Sequence, residues 1–336
     1  MKKTALLFCL SFAIAQLAIA QDKTEYKIVN RIHLEGDGGW DYLTMDEASG
    51  LLYVSHGSMV QVVDTRTSKQ VATIEDTKGV HGITIAAEFG KGYISCGRDS
   101  SVVVFDTKTF KTLSRIKVNG SNPDAILYDP FSKSVFAFNG RSKNATVIDA
   151  KSDKVIGDIA LIGKPEFAAT DEKGKVYVNI EDKSKLCVIN VQTQKVEETW
   201  PVAPVDEPSG LAIDNTSHRL FTVSDGHIAI IDATTGKVIA ALPIGDRVDG
   251  VAYDTNLKRA YSANGEGTMT VVGEADGKYK VLETVKTQKG ARTIAVDSKT
   301  HHIYLPTAEF REASSENKRP EMKPGTFVIL EIAPAN

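Results

Sequence analysis

The feature that most constrains this chain is a period of about 42 residues running through nearly all of it. A Val/Ile-rich run closes on Asp or Asn at positions 64, 106, 149, 190 and 232, as in Val60-Gln61-Val62-Val63-Asp64, with gaps of 42, 43, 41 and 42. A second series closes an earlier apolar run: Asp46, Asp129, Asp171, Asp214, Asp254 and Asp297. Its last four gaps are 42, 43, 40 and 43, and its first spans 83, two periods, with Ala86-Ala87 standing at the intervening position. Seven copies result. Self-similarity at this period marks solenoids, propellers or arrays.

Each copy has the same grammar. A short apolar segment ends in Asp and a polar turn follows. Next comes a strand pattern such as Leu52-Tyr53-Val54, Val135-Phe136 or Val176-Tyr177-Val178, then a Gly/Asn/Ser-rich loop, a third strand, a turn and a fourth. Alternation, aromatic and β-branched enrichment and turn clusters every 8–12 residues read as strands, and helical periodicity is nowhere sustained. Four strands per copy is a propeller blade. The expected fold is all-β: a seven-bladed β-propeller of four-stranded antiparallel blades. The last copy lacks a fourth strand, and residues 26–32 resemble the fourth strands elsewhere. The N-terminal strand is therefore expected to join the last blade and close the ring, which also hides a sheet edge.

The phrases LYVS…VQVVDTRTSKQVATI, LFTVSDGHIAIIDATTGKVIAAL and VYVNIEDKSKLCVINVQTQKV resemble the YVTN β-propeller repeat of secreted bacterial YncE-like proteins. The resemblance covers residues 26–332, and the closing phrase IYLPTAEF…RPEMKPGTFVILEI is also similar to that group. It implies the propeller fold; propellers host unrelated activities, so it implies little about chemistry. A YncE-like protein has been linked to single-stranded DNA, which the resemblance makes a candidate ligand.

The first twenty residues read as an address. Met1-Lys2-Lys3 is a short positive end, an apolar run follows, and Ala18-Ile19-Ala20 has the A-x-A form of a secretory cleavage site. The apolar run is too short to span a bilayer. A signal peptide over 1–20, cut after Ala20, predicts a periplasmic or secreted protein with no membrane span. Residues 21–336 are then one domain. Removing Lys2 and Lys3 leaves 38 basic against 43 acidic residues, a balance of −5. No basic aromatic stripe accompanies it, which argues against nucleic acid. Three Cys exclude a disulfide scaffold, and Cys96 and Cys187 are expected as buried free thiols.

Aligning the copies exposes a polar column. Five positions before the Asp of each first strand, or before Ala86 in copy two, stand Asp41, His81, Asp124, Glu166, Ser209, Asp249 and Arg292. The innermost strand borders the central channel, so these seven form a ring at one mouth and are the candidate ligand-binding residues. Asp41, Asp124, Glu166 and Asp249 are also candidate ligands for a divalent metal such as calcium, the one cofactor the sequence suggests. A solvated, ion-paired ring, a small-ligand site and a metal site all fit. No G-x-S-x-G, P-loop, H-E-x-x-H or C-x-x-C pattern is present. The expected function is a monomeric, non-enzymatic platform that binds a small molecule or protein on the mouth face. The alternative is a metal-dependent lactonase or hydrolase similar to gluconolactonase-like propellers, with Asn139 or Asn264 as added ligands. His56 and His227 read as solvated loop residues. Residues 306–325 break the repeat, with four acids and four bases, and are expected to form a lid over the mouth. The recurrent Asp residues need no function, because each precedes a turn whose amides it can cap.

Overall fold

The structure, a computed structural model, describes residues 25–311 and 321–335. The leader at 1–20 and the centre of the expected lid, 312–320, lie outside the described residues. Twenty-eight strands form seven four-stranded antiparallel sheets. Six are continuous runs at 40–74, 80–117, 123–160, 165–201, 211–243 and 248–286. The seventh combines Ala295–Asp297, His302–Thr307 and Val328–Pro334 with Tyr26–His33 as its outer strand. Tyr26 pairs with Pro334 and His33 with Val328. The first strand of each sheet lies against the first strands of its neighbours, from blade one round to blade seven and back. The ring is closed.

The strand grammar explains the core. The aromatic of each second strand, Tyr53, Tyr93, Phe136, Tyr177, Phe221, Tyr261 or Tyr304, is at most 2% exposed. One large side chain per blade thus fills a space between sheets, where aromatics bury 150–250 Å² each. The phenols peg blades together. Tyr93 donates to the carbonyl of Ala150 in the next blade at 2.9 Å, and Tyr177 to that of Ala233 at 3.1 Å. The recurrent aspartates cap turns: Asp46 accepts from Ala48 N, Asp214 from Thr216 N, Asp254 from Asn256 N and Asp297 from Lys299 N. Blade two, which has Ala86-Ala87 at this place, makes its turn as a short 3-10 segment, Ala87–Phe89, closed by left-handed Gly90.

Outer strands carry unpaired edges, a liability for aggregation. Every blade shifts register between its third and fourth strands, as at Val62/Val63, Val147/Ile148 and Ile230/Ile231, and at Ile28/Asn30 in blade seven. A bulge at that place twists each edge away from a flat pairing surface.

Two local readings change. His56 is not a solvated loop residue. It is fully buried, with Nδ1 2.9 Å from Gln61 Oε1 and its ring stacked on Phe327 at 4.0 Å, because its strand ends there instead of one residue earlier. Pro306 belongs to the strand His302–Thr307 and pairs with Ile329. The described flanks of the insertion close on themselves through the Phe310–Met322 bridge, and Phe310 packs 6.0 Å from Trp40. Cys96 and Cys187 are free and buried.

Candidate functional site at the channel mouth

The seven polar-column residues sit where the innermost strands begin. In blades one to four that place is a β-bulge. Trp40 pairs with His56 and Leu43 with Val54, so Asp41 and Tyr42 both stand opposite Ser55. His81 and Gly82 stand opposite Ser95, Asp124 and Ala125 opposite Phe138, and Glu166 and Phe167 opposite Asn179. In blade six Asp249 is the extra residue. A bulge re-aims side chains that strict alternation would send to opposite faces. Directly after the polar column stand Tyr42, Gly82, Ala125, Phe167, Gly210, Gly250 and Thr293, the first four of which line one cavity.

That second column is small except at two places. Tyr42 and Phe167 meet with ring centroids 4.2 Å apart, and Tyr42 also packs with Ala125. They form a floor beneath the polar ring. Below it lies a cavity of about 190 Å³ lined by Leu43, Thr44, Ile83, Ile126, Ala168 and Leu211, among others. The polar ring thus forms the rim of a cup whose floor is this aromatic pair.

Backbone bonds between blades hold the rim in place. Thr293 Oγ1 of blade seven donates to Asp41 O at 2.6 Å, Thr44 Oγ1 to Ile83 O at 2.6 Å, and Ser95 Oγ to Asp124 O. Gly97 is required by close approach: a Cβ there would lie 2.8 Å from His81 Nε2.

The structure brings the acids and bases together unevenly. His81 Nδ1 lies 2.6 Å from Asp41 Oδ2 and 3.6 Å from Asp124 Oδ1. Asp41, His81 and Asp124 offer ligand atoms within 4.8 Å of one another, the one such group among the described residues. Glu166 and Asp249 do not join it. Arg292 Nε donates to Asp249 Oδ2 at 2.8 Å and its NH2 to Trp40 O at 3.3 Å. The Ser209 hydroxyl donates to the carbonyl of Val248, at 3.4 Å. Asn139 and Asn264 stay inside their blades, bonded to the hydroxyls of Thr146 and of Thr268 and Thr270.

Three contributors lie outside the polar column. Lys164 places Nζ 2.6 Å from Glu166 Oε1 and also pairs with Glu181 from the neighbouring loop. Its signal in the sequence is a base two residues before the column acid. Tyr42 carries no sequence signal under period-two alternation, which sends it away from Asp41.

Electrostatics follow from burial and crowding. Burial disfavours charge on His81, yet the Asp41 hydrogen bond and the charges of Asp124, Asp41 and Glu166 lift it to about 9. Burial, with the charges of Asp41 and Asp249, pushes Asp124 up to about 6 against the pull of His81 and Lys164. Burial and Asp124 push Glu166 up to about 8, while Lys164 opposes. Asp249 is also raised, by burial and Asp41. The Tyr42 phenol is held neutral by burial and by four carboxylates, those of Asp124, Glu166, Asp41 and Asp249. Asp124 has no hydrogen-bond donor to its carboxylate among the described residues, and its nearest cation is His81 at 3.6 Å.

Fold and site together define a class: a seven-bladed β-propeller with an acid-rich cup at one mouth. The chain is a seven-bladed β-propeller similar to YncE-like proteins. No established protein-family profile matches it. It is similar to Antigen Lp49 of Leptospira interrogans, 23% identical over 290 residues, covering 80% of this chain and 62% of that protein. It is similar to YncE of Salmonella typhi, 23% identical over 187 residues, covering 53% of this chain and 52% of that one. The chain thus spans about three fifths and about half of the lengths of these relatives. Among solved structures, a chain of Kuenenia stuttgartiensis hydrazine synthase superposes with a TM-score of 0.70 at 17% identity, over 81% of this chain and 94% of that one. A chain of the mitotic checkpoint complex superposes with 0.74 at 11%, over 91% and 96%. These two likenesses are of fold alone.

Proposed function

We propose that this chain is an extracytoplasmic platform that binds a small ligand in the cup at the channel mouth, without catalysing a reaction. One observation carries the reading. Neither the Asp124 carboxylate nor the Tyr42 hydroxyl has a hydrogen bond among the described residues, Asp124 lying 3.6 Å from His81 Nδ1, while Asp41, Glu166 and Asp249 each have a cation at hydrogen-bond distance. A ligand that donates hydrogen bonds to both Asp124 and Tyr42 gains charge-assisted contacts in a largely buried place. The leader-like residues 1–20 support an extracytoplasmic location. The test is a panel of small cations, neutral polar compounds and anions, screened by the NMR signals of the Tyr42 and His81 rings. Saturable shifts that vanish in Asp124→Asn support the reading. No response to any compound refutes it.

A second reading is favoured by the Asp41–His81–Asp124 cluster: a divalent metal held there, serving a hydrolase. These residues fit a metal in part. They supply three ligands, one of them after loss of the His81 proton, where zinc takes four and calcium six to eight oxygens. Elemental analysis of protein purified without chelator tests it. Stoichiometric metal, lost in Asp124→Ala, supports it; metal-free protein whose melting ignores added divalent ions refutes it.

A further inference from the structure

We infer that the ligand of the cup is a primary ammonium, seated between the Asp124 carboxylate and the Tyr42 hydroxyl. The inference rests on the small-ligand reading above and gives that ligand its chemistry.

Three observations select it. The first is the charge inventory. Asp41, Asp124, Glu166, Asp249 and Glu181 face the cations His81, Lys164 and Arg292. Acids exceed bases, so the cup repels anions and favours a positive guest. The second is the pairing. Each cation already contacts a carboxylate at hydrogen-bond distance, and Asp124 is the acid left without a donor. The third is the floor. Tyr42 is only 8% exposed and packs against Phe167, and its hydroxyl, which has no hydrogen bond among the described residues, feels the charges of Asp124, Glu166, Asp41 and Asp249.

A carboxylate and a phenol oxygen that receive no hydrogen bond can both accept one. A guest must therefore bring N–H or O–H donors along with its charge. A primary ammonium has one positive charge and three donors in the space of one heavy atom. One donor meets Asp124 and one meets Tyr42 Oη, leaving the third for the remaining carboxylates. Its substituent leaves through the mouth, past the exposed side chains of Lys164 and Arg292. A quaternary ammonium has the charge and no donors. A divalent metal needs His81 stripped of the proton that it shares with Asp41.

The experiment titrates the full-length protein with n-butylammonium, n-butyltrimethylammonium and calcium, following the Tyr42 and His81 ring signals. The expected result is a saturable shift with n-butylammonium. Binding of n-butyltrimethylammonium should be weaker by about tenfold or more, because charge-assisted hydrogen bonds are lost. Asp124→Asn, checked as folded by its melting transition, should weaken n-butylammonium by about tenfold or more, and Tyr42→Phe should weaken it by a smaller factor. The wild-type comparison of the two ammonium ions stands even if a variant fails to fold. Equal binding of the two ions, or undiminished binding to folded Asp124→Asn, overturns the inference. A response to calcium, or to neutral or anionic compounds of the panel, without one to n-butylammonium overturns it while the small-ligand reading survives. Silence towards every compound overturns both.

Discussion

The imidazole Nδ1 of His81 lies 2.6 Å from Oδ2 of Asp41, across the seam between blades two and one. The same nitrogen lies 3.6 Å from Asp124 of blade three, so one side chain links three blades at the rim. The contact joins the ring's stability to its charge state.

His81 should stay protonated well above the ordinary histidine range. Its value in the fold is raised to about 9. A raised cation contributes stability that is fully present below the unfolded value near 6.5 and is lost as pH rises through 9. The loss is on the order of 3 kcal/mol at most. Denaturant unfolding at a series of pH values should show this decline in the wild type and not in His81→Gln.

Asp124 and Glu166 should act in the opposite sense to salt-bridged acids. Burial raises them to about 6 and about 8. The fold favours their neutral forms, so each weakens it as pH climbs from the ordinary carboxylate range through those values. Asp124→Asn should match the wild type at low pH and exceed it by about 1–2 kcal/mol near pH 8. The comparison needs only thermal melts at two pH values.

Removing the floor should join the cup to the cavity beneath. Tyr42→Ala deletes a buried ring packed on Phe167 and should cost about 3–5 kcal/mol. A crystal structure of this variant should show a continuous channel, and denaturant unfolding should measure the loss. Tyr42→Phe should keep the floor and most of the stability.

Closure should be indispensable. Deleting residues 26–33 strips the outer strand from Val328–Pro334 and the Tyr26–Tyr261 hydroxyl contact at 2.9 Å. The exposed edge should make the shortened chain aggregate, as read by gel filtration.

Cys96 and Cys187 should be silent in the native protein. Burial pushes Cys96 up to about 12 and Cys187 up to about 11. A thiol reagent at mildly alkaline pH should label neither until denaturant is added.

The architecture was legible because each blade repeats one solution to one packing problem. Tyr53, Tyr93 and Tyr177 recur at one phase of the period since every blade needs the same wedge against its neighbour. The polar column was legible for the same reason, from spacing alone. What the spacing could not convey was pairing within the ring. Whether His81 turns to Asp41 or Asp124, and that Lys164 serves both Glu166 and Glu181, depends on side-chain reach across seams. Tyr42 was hidden by the bulge, which breaks the alternation from which facing is read. His56 was hidden by one residue of strand length, the difference between a loop and the core.

The most direct test of the account is a crystal structure grown with saturating n-butylammonium. The account predicts a bound ion whose nitrogen contacts the Asp124 carboxylate and the Tyr42 hydroxyl, and its absence from the Asp124→Asn crystal. A cup filled by water alone, with His81 still on Asp41 and nothing against Asp124, would contradict it.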